Sequence, residues 1–192
     1  MNRVGHLVGL ALAAMLAACS SAPTTVYSLR PVPPQGNATA GPPMKPPIEL
    51  GQVMIPGAID RDAVVIAAPG GVLDVSNTAI WGAPLSEMIR LTLSADLQAR
   101  LPSGSVLASG DPAPPGGLRI LLMNVQMFSA RTQGQVDLVA DWSLTNGNGV
   151  TIGAPTNARL RVDTGSNDVS AIVPAMSRAL GLMADQIAAK LK

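Results

Sequence analysis

Leu118-Arg119-Ile120-Leu121-Leu122-Met123-Asn124-Val125-Gln126-Met127-Phe128 runs without glycine or proline, and Gln135-Val136-Asp137-Leu138-Val139-Ala140-Asp141-Trp142-Ser143-Leu144-Thr145 follows it closely. The second segment places Val136, Leu138, Ala140, Trp142 and Leu144 on one side of a period-two pattern and Gln135, Asp137, Val139, Asp141 and Ser143 on the other. That is the signature of a half-buried strand. The first half of the earlier segment is apolar at consecutive positions, which predicts a strand covered by helices on both sides.

Asn146-Gly147-Asn148-Gly149-Val150 is a hairpin turn by composition. If the apolar faces of the two flanking strands are to match, Gly147-Asn148-Gly149 forms the loop and Asn146 faces Val150. Continued down the hairpin, this register sets Asp137 opposite Arg159. Pro155 removes a ladder donor from the returning strand and implies a bulge or an edge position.

Working outward, Ile48 to Ile55 predicts a strand stopped by Pro56-Gly57. Ala63-Val64-Val65-Ile66-Ala67 and Val72-Leu73-Asp74-Val75 flank Pro69-Gly70-Gly71 as a hairpin. Pro84 to Leu101 predicts a helix, because Leu85, Ile89, Leu93, Leu97 and Leu101 recur every four residues with Met88 beside them. Pro84 suits its first position, and Pro102-Ser103-Gly104 ends it. Val169 to Leu191 predicts a second helix whose stripe is Ile172, Val173, Met176, Leu180, Met183, Ala184, Ile187 and Leu191, with Pro174 near the first turn. Its polar face lacks the lysines and arginines of an interfacial helix, which favours a core-facing role over a membrane-lying one. Strands interleaved with two long helices predict an α/β domain.

The N-terminus has a different character. Arg3 and His6 precede the apolar run Leu7 to Leu16, which is too short to span a bilayer and reads as a secretion signal over residues 1–18. Leu16-Ala17-Ala18-Cys19 resembles a bacterial lipobox, in which the cysteine becomes the mature N-terminus and carries diacylglycerol and a further acyl chain. Two or three chains anchor stably where one does not, each buried methylene contributing about 0.8 kcal/mol. Ser20 rather than aspartate after the cysteine implies sorting to the outer membrane. Residues 19–26 are then the lipidated N-terminus and tether, and residues 27–192 one α/β domain. Pro31 to Pro47 carries prolines 31, 33, 34, 42, 43, 46 and 47 and is either a stalk or a surface loop. The loop is favoured because Tyr27 and Leu29 look like buried anchors.

Cleavage of 18 residues from 192 leaves 174, and it removes the only histidine and one of 13 basic residues, leaving 12 against 12 acidic. Cys19, the only cysteine, is alkylated. Histidine-assisted nucleophilic catalysis and histidine-ligated zinc are thereby excluded. No Gly-x-Ser-x-Gly turn is present, and Gly147-x-Gly149-x-x-x-Gly153 has the wrong spacing for a dinucleotide loop. Asp60-Arg61-Asp62 reads as a salt-bridged turn rather than acid/base machinery. Four aromatic residues and balanced charge give no nucleic-acid footprint. Methionines 44, 54, 88, 123, 127, 176 and 183 read as core filler rather than a lipid groove. Trp81 is either an exposed partner contact or, the favoured reading, buried at the start of the first helix.

In order along the chain stand the lipobox cysteine, Tyr27-x-Leu29-x-Pro31, a Pro-rich gap, Ile48 to Pro56 leading to Ile59-Asp60-Arg61, a valine-rich strand, and Trp81-Gly82-Ala83-Pro84-Leu85. This order resembles the ABC-type transport auxiliary lipoproteins, the PqiC-type family. Ala58 stands where the family usually has an aromatic, and Ala83 where it has an acidic residue. The resemblance implies a three-layer α/β sandwich with a mixed sheet and two main helices. It implies a non-enzymatic lipoprotein on the periplasmic face of the outer membrane, without a cofactor beyond its lipid. The partners it implies are an Mce-domain periplasmic protein and the inner-membrane components of a lipid-transport system, with homo-oligomerisation left open. Cys19 would carry the anchor, and Tyr27, Leu29, Asp60, Arg61 and Trp81 are family-motif positions serving the fold or a partner contact. Two other readings stand beside it: an assembly or plug lipoprotein for an outer-membrane β-barrel, and a periplasmic enzyme using carboxylates.

Overall fold

The computed structural model describes residues 22–34, 36, 40–131 and 134–191. Its centre is the pair that opened the sequence reading. β6 (Arg119–Arg131) and β7 (Gln135–Asn146) lie antiparallel, from Arg119 opposite Asn146 to Arg131 opposite Gln135. β8 (Thr151–Asp163) pairs antiparallel along the other edge of β7. The other edge of β6 is shared by two shorter strands in succession. β2 (Ile48–Met54) runs parallel to its first half and β3 (Ala63–Ala67) parallel to its end.

A single 3₁₀ turn, Pro69–Gly71, reverses the chain from β3 into antiparallel β4 (Leu73–Trp81). Gly70 and Gly71 both take positive φ there, +76° and +80°, which is why the turn carries two glycines. β4 extends beyond the expected Val75 to Trp81, so Trp81 ends a strand rather than opening a helix. β1 (Thr25–Tyr27) pairs parallel with the end of β4, and β5 (Val106–Leu107) parallel with the start of β2. The sheet is therefore mixed.

Two helices complete the fold. In α1 (Leu85–Gln98), Pro84 is the N-cap, one position earlier than expected, where its missing N–H costs no helical bond. Leu85, Ile89, Leu93 and Leu97, with Leu101 just past the end, are all buried. Each such side chain contributes roughly 1.5–3 kcal/mol through removal from water. In α2 (Val169–Leu191), Ile172, Val173, Met176, Leu180, Met183, Ala184 and Ile187 are buried as the stripe predicts. Pro174 falls in the second turn rather than the first.

The α/β class, the mixed sheet and the two main helices agree with the sequence reading. The layering differs from a three-layer sandwich. α1 packs on β2 and β5, α2 packs on β7 and β8, and the helices pack on each other, so both lie on one face of the sheet. The expectation that β6 is helix-covered on both faces is corrected accordingly. Leu121, Met123 and Val125 are buried, whereas Leu122, Asn124 and Gln126 are exposed.

The hairpin register needs a second correction. Near the turn it is as expected: Asn146 N–H donates to Val150 O at 2.9 Å, Thr145 faces Thr151, and Leu144 faces Ile152. Gly153-Ala154-Pro155 then stand opposite the single residue Ser143, and pairing resumes with Trp142 facing Thr156. This bulge lets Pro155 escape the ladder, and Gly153 supplies its φ of +74°. The register beyond it is displaced by two residues. Asp137 therefore faces Arg161, and Arg159 faces Val139. The buried Asp137 carboxylate takes an ion pair from Arg161 Nε at 2.8 Å and another from Arg131 Nε of β6.

Candidate functional site

The chain emerging from β1 toward β2 crosses the seam between the two helices. Leu29 is 5% exposed and belongs to the main core. Arg30 N–H donates to Ser177 Oγ of α2 at 3.2 Å. Val32 is held at both backbone groups by side chains: its N–H donates to Asp96 Oδ1 of α1 at 2.7 Å, and its carbonyl accepts from Arg100 Nη1 at 3.0 Å. Arg100 also donates through Nε to Asp185 Oδ1 of α2 at 2.6 Å, tying the helices together beneath the arm. Gly181 makes room for this crossing. A Cβ there would stand 3.1 Å from Val32 Cβ and 3.3 Å from Arg100 Nη2.

The clamp is electrically tense. Asp96 is fully buried and Arg100 nearly so. Desolvation raises the Asp96 pKa to about 6, with the Val32 N–H and the Arg100 charge pulling it back and Asp185 adding a smaller push upward. Its second oxygen, Oδ2, is buried without a hydrogen-bond partner. Nothing here is a nucleophile with a base. The chemistry the arrangement supports is the holding of a peptide group.

The family-motif residues cluster at the start of this arm. Tyr27 lies opposite Trp81 in the β1–β4 pair, and Tyr27 O accepts from Gly82 N–H at 2.8 Å. Glycine at 82 permits the approach, because a Cβ would meet Val26 Cγ1 at 3.3 Å. Trp81 is buried, as the favoured reading had it, and its backbone N–H donates to Asp62 O at 2.7 Å. That bond joins the corner to the turn of residues 56–62. Ile59 is buried and anchors the turn, while Asp60 and Arg61 are exposed. The expected ion pair within Asp60-Arg61-Asp62 is absent among the described residues. Arg61 Nε instead donates to Ala58 O at 3.3 Å.

Tyr27, Leu29 and Trp81 thus build the corner, and Asp60 and Arg61 sit on its surface. Ala58 and Ala83, the two departures from the family pattern, are both exposed. Cys19 lies outside the described residues. Of the methionines, 88, 123, 176 and 183 are buried, and 54 and 127 are exposed. No group of three or more His, Cys, Asp or Glu converges among the described residues, and none of their helices is long and apolar enough to cross a membrane. Sequence reasoning missed Asp96, Arg100, Ser177, Gly181 and Asp185. Their signal was present: an aspartate and an arginine four apart beside a leucine stripe, and a glycine inside a long helix.

Comparison with known proteins agrees with this architecture. The family model described as "ABC-type transport auxiliary lipoprotein component" matches residues 27–188. The intermembrane transport lipoprotein PqiC of Escherichia coli (strain K12) is 31% identical over 96 residues, 50% of this chain and 49% of that protein. The Shigella flexneri PqiC matches to the same extent, so the chain spans about half the length of the curated relatives it matches. Among solved structures, an uncharacterized protein superposes with a TM-score of 0.71 at 19% identity, over 89% of this chain and all of that one. A Xanthomonas campestris protein superposes with a TM-score of 0.63 at 16% identity, over 85% and 92% of the two chains. These two likenesses show the shared fold. With its family model spanning almost the whole described domain, the chain belongs to the ABC-type transport auxiliary lipoproteins.

Proposed function

We propose that this chain is an outer-membrane lipoprotein, anchored through Cys19 on the periplasmic face, that docks the distal end of an Mce-type lipid-transport assembly at that membrane. The observation that carries the reading is the family match beginning at Tyr27, only eight residues after the lipobox cysteine. Thr25, the first paired residue of β1, stands six positions beyond Cys19. Fully extended, that span reaches about 20 Å. The arm beyond β1 is clamped to both helices, so the domain is carried close to the bilayer instead of at the end of a long stalk. A rigid domain held at the surface by a short lipid tether suits a docking role. Motif residues that serve the fold, with no group of three or more His, Cys, Asp or Glu converging among the described residues, favour it over carboxylate catalysis.

The test is a pull-down of the acylated protein from detergent-solubilised envelopes. Retention of an Mce-domain protein with its inner-membrane partners is the expected result. Retention of a β-barrel assembly complex without any Mce-domain protein would transfer the chain to the assembly reading.

A further inference from the structure

Beside β1, where the tether enters the domain, the arm and the first turns of α2 frame a groove of about 480 Å³. Its α2 wall is a single helical stripe at spacings of three and four, from Ser170 to Arg178. Its opposite wall is the arm itself. Arg30 and Arg178 both line the groove and are both exposed, while no carboxylate is among its described lining residues. Arg178 Nη2 donates to Asp163 O at 2.9 Å, which holds its guanidinium in place beside the groove. Arg30 is fixed through its backbone on Ser177 Oγ, leaving its side chain to the groove. Val26, at the tether side, is 62% exposed, a large apolar residue open to solvent where the anchored chain begins.

We infer that this groove seats the headgroup of an anionic phospholipid of the membrane in which the chain is anchored. Two guanidiniums in a groove whose described lining holds no carboxylate complement a phosphodiester, for which arginine's planar fork is well suited. Val26 and Pro174, both exposed, offer an apolar surface for the glycerol and the upper acyl methylenes. The tether, at about 20 Å when extended, brings the groove within reach of the headgroup layer. The inference rests on anchoring at Cys19, and it adds a second, non-covalent contact that would fix the domain's orientation on the bilayer.

Hydrogen exchange of the acylated full-length mature protein tests it, on vesicles of phosphatidylcholine alone and of phosphatidylcholine mixed with phosphatidylglycerol. The expected result is several-fold slower exchange of peptides covering 26–32 and 170–178 on the mixed vesicles. That gain should be lost in Arg30→Ala/Arg178→Ala, whose changed side chains are exposed, and reduced at high salt. Equal exchange on both vesicles, or protection surviving in the double variant, would overturn the proposal. Equal protection from inorganic phosphate added to phosphatidylcholine vesicles would overturn the lipid assignment in favour of free phosphate. Retention on phosphatidylcholine vesicles reads the Cys19 anchor separately. A chain that washes off these vesicles, yet binds the mixed ones through Arg30 and Arg178, would sink the anchor and keep the groove.

Discussion

Asp96 concentrates the electrostatics of this molecule in one side chain. Its folded-state pKa of about 6 lies above the ordinary value of 3.8, so folding favours its protonated form. The stabilisation from that proton is fully present below the ordinary value and is lost as the pH rises through about 6. Chemical denaturation should therefore show a larger stability gain in the wild type than in Asp96→Asn between pH 7.5 and pH 5. Asparagine keeps an acceptor for Val32 N–H but has no proton to take up. Gly181→Ala acts on the same clamp by volume. Its Cβ meets backbone-attached atoms of Val32, and a loss of about 1–3 kcal/mol is expected, the usual cost of overpacking. The thermal midpoint would measure it, with arm exchange at 29–32 rising in parallel. Asp96 and Arg100 were readable as an oddity beside a leucine stripe. Their partner was not, because Val32 contributes only backbone atoms, and a backbone group leaves no trace in residue identity.

At the scale of elements, the hairpin of β7 and β8 separates what an apolar pattern can fix from what it cannot. Burial determines which face each residue takes, so it sets register only up to an even displacement. The bulge at Gly153-Ala154-Pro155 supplies such a displacement, and Pro155 announced it without stating its size. For the same reason Ile120-Leu121-Leu122 read as covered on both sides, although Leu122 is 39% exposed. The actual pairing predicts a non-additive effect around Asp137. Arg131→Ala and Arg161→Ala should each lower the urea midpoint only slightly, because each arginine is exposed to solvent and one ion pair remains. Together they should lower it by clearly more than the sum of the two, since the buried carboxylate then loses both partners. A double-mutant cycle by urea denaturation measures the coupling. Arg159→Ala, which the uncorrected register would place in this pair, should have little effect.

At the scale of the whole molecule, one core cluster runs from Leu29 of the arm to Ala188 of α2. Leu29→Ala should lower stability by about 2–4 kcal/mol, as for other buried leucines, and should do so for the whole domain rather than the arm alone. A single calorimetric transition at a lower temperature is the expected outcome. Cys19→Ala should move the protein from the membrane to the soluble envelope fraction while leaving that transition in place. Helix stripes and strand alternation made most of this architecture legible, whereas the common face of the two helices depends on contacts distant in sequence. The arm also imposes an order of events. It is the first part of the domain to leave the ribosome, yet its acceptor Ser177 lies 147 residues downstream of Arg30. Loop closure over that distance waits for nearly the entire chain. Docking of Arg30 on Ser177 therefore waits for α2 to be made. Only completion of the C-terminal helix closes the seam that the arm crosses.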